Sequence, residues 1–189
     1  MRSLAAFLLL TALPARAAVV AGVAVPESVV VDGTALQLNG AGLRNKAVLF
    51  IQVKVYVGAL YLPKKMNDAA AIVALDAPKA VRMHFLRNVD RSSIVAAFKD
   101  GFESNSPGEV EKLLPKLKLL EGALPDEVAE GQVLVVSYAP GKGCTIGVDG
   151  GKTVTVEGKD FAEALFKDWL GPKPVDGGLA DLKQAMLGK

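Results

Sequence analysis

Residues 34–63 read TALQLNGAGLRNKAVLFIQVKVYVGALYLP. Apolar side chains recur there at every second position, on both sides of a glycine-rich segment: Leu36, Leu38, Leu49, Ile51, Val53, Val55 and Val57. A period of two is typical of strands with one buried face. The glycine-rich segment, residues 39–42, predicts a turn or bulge between two strands, because glycine adopts backbone angles that other residues cannot. The stretch therefore predicts two consecutive strands at the centre of the fold.

Two polar side chains interrupt this apolar stretch. Arg44 follows the glycine-rich segment, and Tyr56 lies within a run of valines. On residue type alone, Arg44 fits a surface arginine at a strand end, and Tyr56 fits a core tyrosine whose hydroxyl reaches the edge of the sheet. A guanidinium also suits anion binding, since its planar fork donates two parallel hydrogen bonds. Arg44 and Tyr56 are therefore the candidate ligand-binding residues, and Arg44 is the candidate catalytic residue if there is one.

The remaining pattern predicts an α+β fold. Strands are predicted where apolar residues alternate, near residues 29–31 and at 81–86, 133–139, 145–148 and 153–157. A first helix is predicted at 68–75 behind an Asn67 cap, and a second after Asp90 or Ser92, with the buried stripe Ile94, Phe98 and Phe102. A third is predicted after a capping box at 106–109. Two more are predicted from the stripes Phe161, Leu165, Trp169 and Leu179, Leu182, Met186. Pro115 is expected to kink or split the third helix. This order predicts an antiparallel sheet covered by helices on one face.

Residues 1–17 have the three parts of a secretory signal peptide. Arg2 supplies the positive charge, residues 4–13 are apolar, and small residues surround the expected cleavage site after Ala17. A membrane anchor is the alternative, but the apolar run is about half of the ~20 residues that a span needs. We therefore expect a periplasmic or secreted protein with one domain, residues 18–189, and no transmembrane segment after cleavage.

The charge and the cysteine count narrow the function classes. The chain has 22 Lys and Arg against 20 Asp and Glu, and two of the arginines lie in residues 1–17, so residues 18–189 are near neutral (20 against 20). A neutral domain lacks the basic surface typical of nucleic-acid binding. With Cys144 as the only cysteine and His84 as the only histidine, an internal disulfide is ruled out and an ordinary zinc site is not expected. We expect no metal and no cofactor, a packed Cys144, and a His84 that is solvated or at the edge of the sheet rather than catalytic.

Five segments, taken in order, resemble the chalcone isomerase-like family. They are Gly40-x-Gly42-x-Arg44-x-Lys46, then residues 54–62 (KVYVGALYL), 81–87 (VRMHFLR), 98–102 (FKDGF) and 166–171 (FKDWLG). The resemblance runs from about Leu36 to the C-terminus. It implies an antiparallel sheet under a layer of helices, with a ligand cleft between them.

The resemblance also implies a role for the two candidate residues. In chalcone isomerases the arginine after the glycine bend holds the oxyanion of the substrate, and Arg44 stands at that place. True isomerases have a threonine where this chain has Tyr56, and a tyrosine and an asparagine at places that fall near Arg91 and Phe98. The plant fatty-acid-binding members of the family instead pair the arginine with a tyrosine at the place of Tyr56. The chain therefore resembles the fatty-acid-binding branch more than the true isomerases, and negligible chalcone cyclisation is expected.

Three functional hypotheses follow. The first is an exported protein that binds a fatty acid or a similar small apolar carboxylate without catalysis, through Arg44 and Tyr56. The second is an isomerase of the intramolecular lyase type, converting chalcones to flavanones with altered site residues. The third is a protein-interaction module of the cell envelope.

Overall fold

The computed structural model describes residues 18–189, so the predicted signal peptide lies outside the described residues. The strands are β1 (Ala18–Val20), β2 (Val23–Val25), β3 (Ser28–Val31), β4 (Thr34–Val48), β5 (Ile51–Leu62), β6 (Lys79–Phe85), β7 (Val89–Asp90), β8 (Glu127–Val128), β9 (Val133–Ala139), β10 (Gly143–Val148) and β11 (Thr153–Val156). The helices are α1 (Ala69–Ala74), α2 (Arg91–Asn105), α3 (Val110–Glu121), α4 (Lys159–Leu170) and α5 (Gly177–Met186). None of these helices is long and apolar enough to cross a membrane.

Seven strands form one antiparallel sheet in the order β11-β10-β9-β6-β5-β4-β3. The hairpin of β4 and β5 contains its two longest strands. Alternate residues of β5 point to opposite faces, as the pleat requires. Leu60 and Leu62 join the main core, which also contains the buried stripes of the helices, whereas Val57 and Tyr61 join a smaller core with Val25 of β2. The predicted α+β fold, with helices on one face of an antiparallel sheet, is confirmed.

The glycine-rich segment has a different role from the predicted turn. β4 continues through Gly40 and Gly42, with a bulge between Leu38 and Gly40, and the chain reverses only at Leu49 and Phe50. A Cβ atom at either glycine would collide with Ala185 of α5. Glycine within a strand often marks the close approach of another backbone. The prediction of a bulge was therefore right and that of a turn was wrong, because these glycines make room for a helix.

Two helix starts differ from the predictions. Asp68, rather than Asn67, caps α1, since its side chain accepts a hydrogen bond from the backbone N–H of Ala71. The capping box at 106–109 is absent, because Ser106 instead ends α2 and its N–H donates to the carbonyl of Phe102. Helix α3 starts at Val110 without a side-chain cap and contains Pro115 in its interior without being split. The stripes of α2, α4 and α5 are buried as predicted.

Lys79 is a buried cation that the pattern did not reveal. Its Nζ donates to three carbonyls at the end of α1, those of Ile72 (3.0 Å), Val73 (2.6 Å) and Leu75 (3.0 Å). The last carbonyls of a helix lack partners within the helix, and a cation there also complements the helix dipole. Lys79 therefore joins β6 to α1 and has a structural role.

Candidate functional site

A cavity of ≈ 280 Å³ is lined by the helix-facing residues of β4, β5 and β6 together with residues of α2, α4 and α5. Most of its lining is apolar, and includes Val53, Val55, Met83, Phe85, Ile94, Phe98, Trp169 and Leu179. The volume lies just under the range of roughly 300–1,000 Å³ that is typical of small-molecule sites. The space is suited to a small apolar ligand.

Arg44 and Tyr56 lie on the wall of this cavity. They are directly opposite each other in the β4–β5 register. Residues paired in this way project from the same face of a sheet, with Cβ atoms about 5 Å apart. The structure therefore brings the two sequence-predicted residues together. His84 pairs with Val57, the neighbour of Tyr56, and so lies on the opposite face of the sheet, away from the cavity.

The guanidinium of Arg44 has a partner that sequence reasoning missed. Arg44 is 8% exposed and makes a two-pronged ion pair with Asp176, with Nη1–Oδ1 and Nη2–Oδ2 distances of 2.8 and 2.6 Å. Nη1 also donates to the backbone carbonyl of Asn45. Three of the five guanidinium N–H donors are thus used within residues 18–189, which leaves one on Nε and one on Nη2. The pair holds the guanidinium in a fixed orientation.

Asp176 has two tasks. It caps α5, since its side chain accepts from the backbone N–H of Leu179 (2.9 Å), and it pairs with Arg44. Partial burial acts to raise the pKa of Asp176, but the hydrogen bonds from Arg44 and Leu179 outweigh burial and lower it. Gly178 lets the start of α5 lie against β4, because a Cβ there would collide with the carbonyl of Asn45. The cap could be predicted from the sequence Asp176-Gly177-Gly178, but its partner is 132 residues away.

Tyr56 presents a phenol that keeps its proton. The Nε1–H of Trp169 donates to the Tyr56 hydroxyl oxygen at 3.1 Å. Removal of the hydroxyl from water raises the pKa of Tyr56 to about 12, although the Trp169 hydrogen bond and the charge of Arg44 act to lower it. A phenol oxygen that accepts one hydrogen bond can still donate its own proton. Tyr56 is therefore an oriented, neutral hydrogen-bond donor at the same wall as Arg44.

Asp168 is a second residue that sequence reasoning missed. It is 8% exposed and lies at the cavity wall, and neither carboxyl oxygen has a hydrogen-bond partner within residues 18–189. Burial raises the pKa of Asp168 well above its usual value. Gly101 of α2 makes room for it, because a Cβ there would collide with the carboxyl group. The pattern gave no signal of this, since an aspartate beside the Trp169 stripe suggests a solvated position.

Asp168→Asn is expected to raise the free energy of unfolding at neutral pH by about 1–3 kcal/mol, because it removes a carboxyl that burial penalises as an anion. The folded protein keeps a proton on Asp168 at pH values where the unfolded chain has lost it. The stability of the parent therefore falls as pH rises from about 4 towards the raised pKa. Denaturant unfolding between pH 4 and 8 measures this, and the gap between variant and parent should widen with pH.

The exposed Asp181 offers a matched control for that experiment. Asp181→Asn removes the same charge from α5 without removing a buried group, so the pH dependence of its stability should follow that of the parent. A gap for Asp168→Asn that stays constant from pH 4 to 8 would contradict a protonated Asp168 in the folded protein.

Cys144 and Arg91 are not among the residues that line the cavity. Cys144 is fully buried, and burial raises the pKa of its thiol to about 12, so it packs as an apolar side chain. Arg91, near a place where the isomerases have a catalytic side chain, pairs with the exposed Asp126. Among the described residues, no three His, Cys, Asp or Glu side chains are grouped to hold a metal ion.

Comparison with known proteins agrees with this architecture. The crystal structure of a fatty-acid-binding protein of Arabidopsis thaliana, AtFAP1, superposes with a TM-score of 0.62 at 16% identity, covering 85% of this chain and 96% of that one. At that identity the likeness shows the fold. No curated protein sequence matches the chain. The profile described as chalcone isomerase-like matches residues 17–188. The chain thus belongs to the chalcone isomerase-like family.

Proposed function

We propose that this protein binds a fatty acid, or a similar small apolar carboxylate, in the cavity between the sheet and the helices, and that it does so without catalysis. The observation that carries the proposal is the placement of Arg44 directly opposite Tyr56 on the wall of an apolar cavity. The name of the Arabidopsis protein of the same fold, a fatty-acid-binding protein, supports the ligand class.

The polar contacts suit a carboxylate head group. Burying a carboxylate is costly unless it is paired and hydrogen-bonded. The two N–H donors of Arg44 that Asp176 and Asn45 leave unused supply the charge-assisted contact, and the phenol of Tyr56 supplies a second donor. Lys46 and Arg87 add cations to the same lining. Asp90 also lines the cavity, but its carboxylate accepts hydrogen bonds from Ser92 and Ser93 at the start of α2.

The cavity sets a limit on the acyl chain. At ≈ 280 Å³ it is slightly smaller than the lower limit for typical small-molecule sites. A short or medium chain fits such a space better than a long one. The apolar lining contributes affinity in proportion to the area that it removes from water.

Tyr56→Phe is expected to weaken binding of the acid by about 1–2 kcal/mol, roughly five- to thirtyfold in Kd, because a hydrogen bond to a charged group is lost. The variant keeps the ring that packs on Phe85, so the fold should be retained. Isothermal titration with octanoate and laurate measures the effect. The methyl esters are the control, because an ester lacks the charge and should bind more weakly to the parent and be little affected by the variant.

Two results would overturn the proposal. One is equal affinity of the parent for acid and methyl ester, which would mean that no charged head group is recognised. The other is a Tyr56→Phe variant that binds the acid as tightly as the parent does.

The isomerase hypothesis has less support. Arg44 occupies the place of the oxyanion-binding arginine, but cyclisation also needs the phenolate to be oriented, and Arg91 and Phe98 do not supply the groups that do this in the isomerases. We expect no loss of chalcone absorbance in the presence of the protein. Turnover that disappears in Arg44→Ala would reinstate the isomerase, and an empty protein that captures a single partner would favour the interaction module.

Export is part of the same proposal. The pattern of residues 1–17 supports cleavage after Ala17 and a periplasmic or secreted location. N-terminal sequencing of the protein from the envelope fraction tests it, and a retained Met1 would contradict it.

A further inference from the structure

The tip of the β4–β5 hairpin exposes four consecutive apolar residues. Val48, Leu49, Phe50 and Ile51 are 47%, 87%, 105% and 68% exposed. Single exposed apolar residues are normal on a protein surface, but a contiguous group commonly marks an interaction site. These four residues are called the hairpin tip below.

The backbone of the hairpin tip is unusual for its residue types. Leu49 and Phe50 form a two-residue turn with φ of 47° and 69°, in the left-handed region. Such turns favour Asn-Gly or Asp-Gly, since bulky side chains are strained at positive φ. Within residues 18–189 the other two-residue turns between paired strands have glycine at the second position, in Ala21-Gly22 between β1 and β2 and in Asp32-Gly33 between β3 and β4, and neither has a bulky side chain. Folding alone does not account for a leucine and a phenylalanine here.

The charged side chains of the hairpin itself have one sign. Residues 34–67 contain no aspartate or glutamate, and Lys46 and Lys54 lie on the two strands that lead to the tip, whereas the charge of Arg44 is paired with Asp176. Lys46 and Val48 also line the cavity, so the tip borders its wall. An apolar end flanked by cations matches the interface of a bilayer with anionic head groups, where apolar side chains enter the acyl boundary and cations meet the head groups.

We propose that the hairpin tip docks the protein onto an anionic lipid surface by inserting Leu49 and Phe50. The proposal does not rest on the ligand of the cavity, since it needs only the exposed tip and its flanking cations. A second copy of the chain is a weaker fit, because stable protein interfaces use about 20–30 residues a side and the tip offers four.

A tryptophan placed at the tip reports the insertion directly. Phe50→Trp emission is expected to shift to the blue, and to be quenched by brominated lipid, on addition of phosphatidylglycerol vesicles. Phosphatidylcholine vesicles should give a much smaller change. The native Trp169 is 3% exposed and provides a constant background. Leu119→Trp is the matched control and should not respond to either lipid. Leu119 is an exposed leucine of α3, the helix that packs against β11, at the edge of the sheet opposite to β4 and β3.

Vesicle binding supplies the second measurement. Phe50→Ser should weaken binding to phosphatidylglycerol vesicles by about tenfold, whereas Leu119→Ser should bind as the parent does. Residues 1–17 are common to both variants and cannot cause a difference between them. The proposal is overturned if Phe50→Trp emission is unchanged by anionic vesicles, if Leu119→Trp responds equally, or if the tip emission shifts with protein concentration in the absence of lipid, as for a second copy.

Discussion

Trp169→Ala is expected to lower the free energy of unfolding by about 3–5 kcal/mol, as other large truncations in protein cores do. Trp169 is 3% exposed and lies edge-on to Phe98 of α2, with ring centroids 5.9 Å apart, and to Phe166, at 6.3 Å. Alanine would leave a cavity between α2 and α4. It would also remove the N–H donor that orients the hydroxyl of Tyr56.

Trp169→Phe separates these two contributions. Phenylalanine keeps most of the ring packing but cannot donate to Tyr56, so the loss in stability should be smaller, while the affinity for the acid should still fall. Denaturant unfolding and acid titration of both variants measure the two effects, with the exposed Leu119→Ala as a control expected within about 0.5 kcal/mol of the parent. Unchanged stability of Trp169→Ala would contradict its burial in the core.

The elements predicted best are those whose pattern is local. The stripes of α2, α4 and α5 repeat at helical spacing, and their apolar faces must be buried whichever way the chain is folded. Strand β9 was predicted with the bounds that the structure shows, Val133–Ala139. The pairing of Arg44 with Tyr56 does not belong to this group, because it depends on the turn at Leu49 and Phe50, whereas the sequence pattern predicted a turn at residues 39–42.

The contacts that complete the site depend on distant parts of the chain. The partner of Arg44 is Asp176, on the helix for which the glycines of β4 make room, and no local pattern at either residue indicates their contact. Asp168 is hidden for a related reason, since its burial results from α2 packing over α4 at Gly101. The turn was predicted at residues 39–42 rather than at Leu49 and Phe50, because the glycines at 40 and 42 fit turn preferences and a leucine followed by a phenylalanine does not.

Arg44→Ala is expected to have the largest effect on ligand affinity, about 2–5 kcal/mol, because removing one partner of a buried, hydrogen-bonded charge pair leaves the other without compensation. The same variant leaves Asp176 without its partner, which would lower stability as well. Arg44→Met combined with Asp176→Asn removes both charges and avoids this problem. The double variant should unfold close to the parent and still fail to distinguish the acid from its methyl ester in titration.

Asp176→Asn alone is expected to strengthen binding of the acid, whereas Arg44→Ala is expected to weaken it. The single variant is therefore the sharpest test of the head-group contact. Asparagine is as good a helix cap as aspartate, so α5 should keep its start, and the amide oxygen can still accept from Arg44. The variant removes a carboxylate that repels an incoming one at the same guanidinium, so acid binding should tighten by roughly 1 kcal/mol, about fivefold, with the ester unchanged. The gain should shrink as salt is raised, because Asp176 is partly exposed and its field is screened. If acid and ester affinities change together, the ligand does not contact Arg44, and the double variant would then lose no selectivity.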